Sequence, residues 1–221
     1  GFAQEYGYNV IFAESNWSAE KENHLFEQMV QMRVCGVIMC LCEKSREGID
    51  ILDRSGVPYI VVDSCPEWYK GSYVVNDFRC AGELAARHLL EQGCRKPAYF
   101  TAGGEMKSLT PFVIMQQHFI RHFNENGIQI AVGDVIEAGL RITDGHEAFD
   151  QIFKVGKRYD GIFCANDLCA MGVMEAAERH GLIPGKNLAI IGIDDMEVSS
   201  FSRVSLTTIR QPYDKIVNIA M

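Results

Sequence analysis

Residues Tyr159–Gly172 read Tyr-Asp-Gly-Ile-Phe-Cys-Ala-Asn-Asp-Leu-Cys-Ala-Met-Gly, and this stretch decides the fold. Gly161–Ala165 (GIFCA) is a short unbroken apolar run, as expected of a strand buried on both faces of a sheet. Asn166 then offers a capping side chain, and Leu168–His180 continues at helical spacing until Gly181 stops it. A strand that feeds directly into a helix is the repeating unit of a parallel α/β sheet.

The unit recurs in both directions along the chain. Downstream, Leu188–Ile193 (LAIIGI) is a further apolar strand, and Leu206–Arg210 is a last extended piece. Upstream, strand Asp134–Glu137 precedes helix Thr143–Val155, and strand Pro97–Thr101 (PAYFT) precedes helix Phe112–Asn126, which ends at Gly127. Strand Tyr59–Asp63 follows Pro58 and leads to helix Asp77–Gln92, ended by Gly93. Strand Cys35–Leu41 leads to helix Lys44–Arg54, ended by Gly56. Tyr8–Glu14 reads as the first strand, and Ser18 caps the helix after it, whose apolar positions include Leu25, Phe26, Met29, Val30 and Met32. Strands alternating with helices predict parallel sheets covered on both faces. The Gly-rich break Thr101–Thr110 (TAGGEMKSLT) predicts two lobes with a boundary near Ala102–Gly104.

Composition removes several function classes. The 221 residues are 48% hydrophobic and 23% charged, ordinary globular values that exclude disorder, collagen and coiled coil. Apolar runs such as Cys35–Cys42 are too short to cross a bilayer, so no membrane partner is expected. A net charge of −8 without a basic stripe predicts that this segment does not hold nucleic acid by itself. The eight cysteines form no Cys-x-x-Cys pair and sit mostly in apolar runs; buried reduced thiols and a cytoplasmic location are expected. His118 and His122 stand one helical turn apart with no third ligand, and His146-Glu147 lacks a second histidine. Gly181–Asn187 (GLIPGKN) is one residue short of a phosphate loop and precedes a strand instead of a helix. With no Gly-x-Ser-x-Gly and no Gly-x-Gly-x-x-Gly, neither an enzyme, a metal nor a cofactor is expected.

Three segments in order resemble the LacI/GalR family of bacterial transcription regulators. They are Tyr159–Gly172, then Gly181–Asp195 with Pro184, Gly192 and Asp194-Asp195, then Leu206-Thr207-Thr208-Ile209-Arg210-Gln211-Pro212. Ile193 stands where the family usually places an aromatic. The resemblance implies two Rossmann-like lobes of the periplasmic-binding-protein-like type I fold, truncated at both ends. It implies an N-terminal lobe over 1–101 lacking its first strand, with 213–221 returning to it, and a C-terminal lobe over 102–212. Gly1–Gly7 then resembles the tail of the first family helix, with a helix-turn-helix head before it. The function implied is the effector-binding and dimerisation core of a DNA-binding regulator; a periplasmic sugar-binding protein of a transport system is the alternative. A homodimer is implied, through Ser18–Met32 and Met196–Phe201, with DNA bound only through the absent head.

The candidate site follows from strand ends and from the resemblance. Ligands of open parallel sheets lie beyond the carboxyl ends of the strands. Asp194 ends one strand and Asn166 follows another, so both are expected to face a cleft between the lobes. Each has a structural alternative: a turn aspartate, and an N-cap. Asp77 at the start of its helix is likewise a ligand contact or a cap. By resemblance Met115 stands where the family carries a ligand-clamping arginine, and Leu140 where it often carries a ring. Apolar residues at both positions widen the expected effector from a sugar to a sugar or a more apolar ligand.

Overall fold

A computed structural model describes residues 2–221, the side chain of Phe2 excepted. It divides into two compact units, Gly1–Asn76 with Pro212–Met221, and Asp77–Gln211. Both are α/β, and every strand pairing in them is parallel.

In the first unit, β1 (Val37–Met39), β2 (Tyr59–Asp63) and β3 (Tyr73–Val75) form a sheet in that order. Helices α2 (Ala19–Gln31) and α3 (Glu47–Ser55) pack together over Val37, Met39, Leu41 and Val61, with Phe26 and Leu52 at the centre. Ser18 caps α2 as the sequence predicts, accepting from Lys21 N–H at 3.4 Å. Gly48 makes the helix pair close, since a Cβ there would lie 2.8 Å from the Phe26 ring. Helix α1 covers Phe2–Glu5, and α8 (Tyr213–Ala220) returns to lie near β2 and β3.

Tyr8–Glu14 is not a strand. Its composition suits one, but a strand requires a neighbouring ladder, and among the described residues the segment pairs with none. Phe12 is accordingly 93% exposed. Strand β3 and helix α8 carry too little pattern to be seen beforehand: β3 is three residues between Gly71 and Asp77.

In the second unit the sheet order is β5-β4-β6-β7-β8: Val135–Glu137, Pro97–Thr101, Gly161–Cys164, Ala189–Asp194 and Thr207–Arg210. Alternate residues of each strand enter different cores. Tyr99, Phe163, Ile191 and Ile193 face α4 (Phe78–Glu91) and α5 (Thr110–Glu125), while Ala98, Phe100, Ile162, Cys164 and Ile190 face α6 (Ile142–Lys154) and α7 (Asp167–Arg179). Burial on both faces explains why these strands read as continuous apolar runs. Phe119 fills the first core, its ring centroid 5.9 Å from Tyr99, 5.6 Å from Phe163 and 5.0 Å from Phe123. The predicted stops at Gly93, Gly127 and Gly181 all hold left-handed φ angles of 76–83°.

The boundary differs from the one expected near Ala102–Gly104. Strand β4 and helix α4, expected in the first lobe, belong to the second unit. Gly82 lets α4 meet α5 closely: a Cβ there would lie 2.4 Å from the Met115 carbonyl oxygen. The Gly-rich stretch is no linker. It forms a 3-10 turn at Gly104–Ser108, and Glu137 at the end of β5 accepts from Gly104 N–H at 2.6 Å and from Lys107 Nζ.

Both helix pairs of this unit pack through glycine. On the other face a Cβ at Gly145 would lie 2.2 Å from the Cys169 carbonyl oxygen, and one at Gly172 would lie 2.1 Å from that of Ile142. Helices α6 and α7 therefore touch backbone to backbone.

Candidate functional site

The carboxyl ends of β6, β7 and β8 gather most of the polar residues singled out in the sequence. After β6 the chain turns into α7 through Asn166, whose Oδ1 accepts from Cys169 N–H at 2.8 Å. Its Nδ2 donates to the Leu140 carbonyl at 2.8 Å. Asn166 is thus a cap and also a cross-link to the loop after β5. Leu140 is half-buried and its N–H donates to Asp144 Oδ2 at 3.2 Å. The structure brings Asn166 and Leu140 together, through the Leu140 backbone.

Asp167, the next residue, is fully buried. Its Oδ2 accepts from Met196 N–H at 2.9 Å and from the Ser199 hydroxyl at 2.6 Å, and its Oδ1 from the Thr208 hydroxyl at 2.5 Å. Gly192 makes room for it, because a Cβ there would meet Asp167 Oδ1 at 2.3 Å. The carboxylate also stands at the amino end of α7, where the helix dipole favours negative charge. One side chain thereby joins the three sequence segments on which the resemblance rests. Sequence reading missed this role, although an aspartate beside a cap residue was a visible signal.

Asp194 ends β7 with φ 135°, and Asp195 follows with φ 56°. Two successive non-glycine residues in this region hold strain of roughly 1–3 kcal/mol each. Asp194 Oδ1 accepts from Gln211 Nε2 at 2.6 Å. Asp195 N–H donates to the Thr208 hydroxyl at 3.2 Å, and its Oδ2 pairs with the Arg210 guanidinium. The half-buried Asp194 carboxylate is therefore a held acceptor at a strand end.

The other two candidates lie elsewhere. Asp77 is exposed and caps α4, its Oδ1 accepting from Cys80 N–H at 3.1 Å. That bond, with nearby Arg79, keeps its carboxyl below the ordinary carboxylate range. Met115 is only 1% exposed and shares the α4–α5 core with Phe119 and Phe123. The spacing Met115, Phe119, Phe123 is one helix face turned to the sheet, so this methionine presents no surface to a ligand.

The first unit has a comparable strand end that sequence reading passed over. Asp63 ends β2 with φ 68°, and burial raises its carboxyl above the usual range. Ser64 is buried, and its hydroxyl finds no hydrogen-bond partner among the described residues. The signal was an aspartate closing an apolar run, as at Asp194.

None of the eight cysteines is in a disulfide; Cys42, Cys94, Cys164 and Cys169 are buried, but Cys35, Cys40 and Cys80 are exposed. Cys35 and Cys40 flank edge strand β1, which explains their surface position. His118 Nδ1 lies 2.9 Å from Glu83 Oε1 of α4, and among the described residues no group of three or more histidine, cysteine or carboxylate side chains is placed to hold a metal ion.

A model of the periplasmic binding protein-like domain matches residues 86–221. The chain belongs to that family. The ribose operon repressor of Escherichia coli (strain K12) is 26% identical over 218 residues, covering 98% of this chain and 65% of the repressor. The transcriptional repressor PurR of Pasteurella multocida is 29% identical over 213 residues, covering 95% of this chain and 62% of that protein. The chain thus spans just under two thirds of these curated relatives. Among solved structures, the transcriptional regulator CelR–cellobiose complex superposes with a TM-score of 0.85 at 22% identity, covering 98% of this chain and 66% of that one. The regulator CcpA of Lactococcus lactis gives 0.86 at 20% identity, covering 99% and 79%. At these identities the structures speak to the periplasmic-binding-protein-like fold, which the chain shares.

Proposed function

We propose that this chain is the effector-sensing core of a LacI-type, DNA-binding transcription regulator. The observation that carries the reading is the collinear similarity of 95–98% of the chain to repressors. The relatives compared above are named as regulators and none as a transport protein, which favours this reading over a sugar-transport binding protein. No catalytic step is assigned to it, and the cytoplasm is its place of action. No helix among the described residues is long and apolar enough to cross a membrane.

The effector site is assigned to Asp194 at the end of β7, with Asn166 and Leu140 beside the neighbouring strand ends. A carboxylate accepts from hydroxyl and N–H groups, so the ligand is a small polyol or N–H-bearing molecule. Met115 acts through packing, and Asp77 as a cap. The regulator works as a homodimer, since two-fold symmetry matches paired DNA half-sites, with DNA contacted through a helix-turn-helix head. Met196 and the 56%-exposed Phe201 supply apolar surface for that dimer. In α2 Phe26 is buried and Met29 and Val30 pack inward, while Met32, at the C-cap, is exposed.

The test is thermal stabilisation by D-ribose, cellobiose and a panel of related polyols. A binding ligand is expected to raise the melting temperature of the full-length protein, and Asp194→Ala is expected to abolish that rise. Undiminished stabilisation of the variant removes Asp194 from the site.

A further inference from the structure

The strained pair Asp194-Asp195 is tied to the last two residues of the second unit. Asp194 pairs with Arg210 in the β7–β8 register. Asp195 Oδ2 takes the Arg210 guanidinium, and Asp194 Oδ1 takes the Gln211 amide at 2.6 Å. Gln211 closes the second unit, and Pro212 opens the return to the first. Proline donates no backbone hydrogen bond, so the β7–β8 ladder, whose register runs to Asp194 and Arg210, is supplemented at its end by these two side-chain bonds.

We propose that Gln211 is a latch competing with the effector for the Asp194 carboxylate. The proposal rests on the reading of Asp194 as effector acceptor. An effector hydroxyl or N–H that takes Oδ1 along the same direction displaces the Gln211 amide. The residue beside Pro212 then loses that bond, and the segment around it changes state with occupancy. A ligand shifts an equilibrium only by its different affinity for two states; here the difference is whether the acceptor is already taken. The strain at Asp194 and Asp195 fits a position held by its surroundings, where two arrangements lie close in free energy. Gln211 is in this sense a positioning residue.

The test uses the full-length protein, with D-ribose and cellobiose as probes. Without ligand, Gln211→Ala and Gln211→Glu are each expected to speed hydrogen exchange of the backbone amides flanking Pro212 by about tenfold. With the probe that binds, wild type is expected to lose protection in the same segment. Gln211→Ala is expected to bind it roughly fivefold more tightly, because the competing state is gone, and to show no further change in exchange. Unaltered ligand-free exchange in both variants overturns the latch. Equal or weaker binding by Gln211→Ala overturns the competition and makes Gln211 an ordinary contact. If wild type binds neither probe, the effector reading fails and the competition with it, while ligand-free exchange still decides the latch.

Discussion

The Asp167 carboxylate lies over the bare Cα of Gly192, at a spacing that a methyl group would reduce to 2.3 Å. The two residues come from different sequence segments and share one space. Gly192→Ala is expected to destabilise the protein by roughly 1–3 kcal/mol through overpacking. Asp167→Ala is expected to cost about 3 kcal/mol, because the Ser199 and Thr208 hydroxyls and Met196 N–H lose a buried acceptor. Removing the carboxylate also removes the clash, so the double variant should cost clearly less than the sum. Urea denaturation measures all three, and strict additivity contradicts the shared space.

Asn166 offers a way to separate its two bonds. Asn166→Asp keeps the acceptor for Cys169 N–H and loses the donor to Leu140, whereas Asn166→Ala loses both. The alanine variant is expected to lose about 1–2 kcal/mol and the aspartate variant less. Equal losses measured by thermal denaturation would place the whole effect in the Leu140 link.

The glycine seam between α6 and α7 makes a stronger demand. Gly145→Ala and Gly172→Ala would each press a methyl into a carbonyl oxygen at 2.1–2.2 Å. Each is expected to destabilise by about 2–3 kcal/mol or more, despite the higher helix propensity of alanine. A stability gain in either, by calorimetry, would mean that the helices separate freely.

Glu22 provides a pH signature in the first unit. It is buried, and desolvation raises its carboxyl above 4.5, against one bond from Cys42 N–H. The folded state therefore binds this proton more tightly than the unfolded state does. Its contribution is full below pH 4.5 and is lost as pH rises through the higher folded value. Glu22→Gln keeps an acceptor for Cys42 and carries no charge. The variant is expected to gain thermal stability over wild type as pH rises above 4.5, with the two converging below it. A constant gap across that range would assign the difference to packing.

The order of strands and helices was legible because period and punctuation agree. GIFCA, PAYFT and LAIIGI are buried on both faces, and Gly93, Gly127 and Gly181 end their helices as read. The position of the break was not legible. TAGGEMKSLT has linker composition, but Glu137, far away in sequence, binds it down. Tyr8–Glu14 failed for the opposite reason, since strand composition does not create a ladder partner. At the candidate site, sequence placed Asn166 and Asp194 at strand ends. It did not reveal that Asn166 spends both side-chain groups on the fold, or that Met115 turns inward. Those facts depend on partners 26 residues away for Asn166 and on the α4–α5 approach permitted by Gly82.

Strand β8 is the outermost strand of its sheet, with a hydrogen-bonded neighbour on one side. Such strands ordinarily fray first and invite pairing with other chains. Here Thr208 is fastened to Asp167, which also holds the turn at Met196 and Ser199. Peeling β8 away would leave the buried Asp167 Oδ1 without the Thr208 hydroxyl and the Asp195 N–H without its acceptor. The sheet edge is consequently cooperative with the interior: it opens together with its neighbours or remains closed, and so resists aggregation through a brief local excursion.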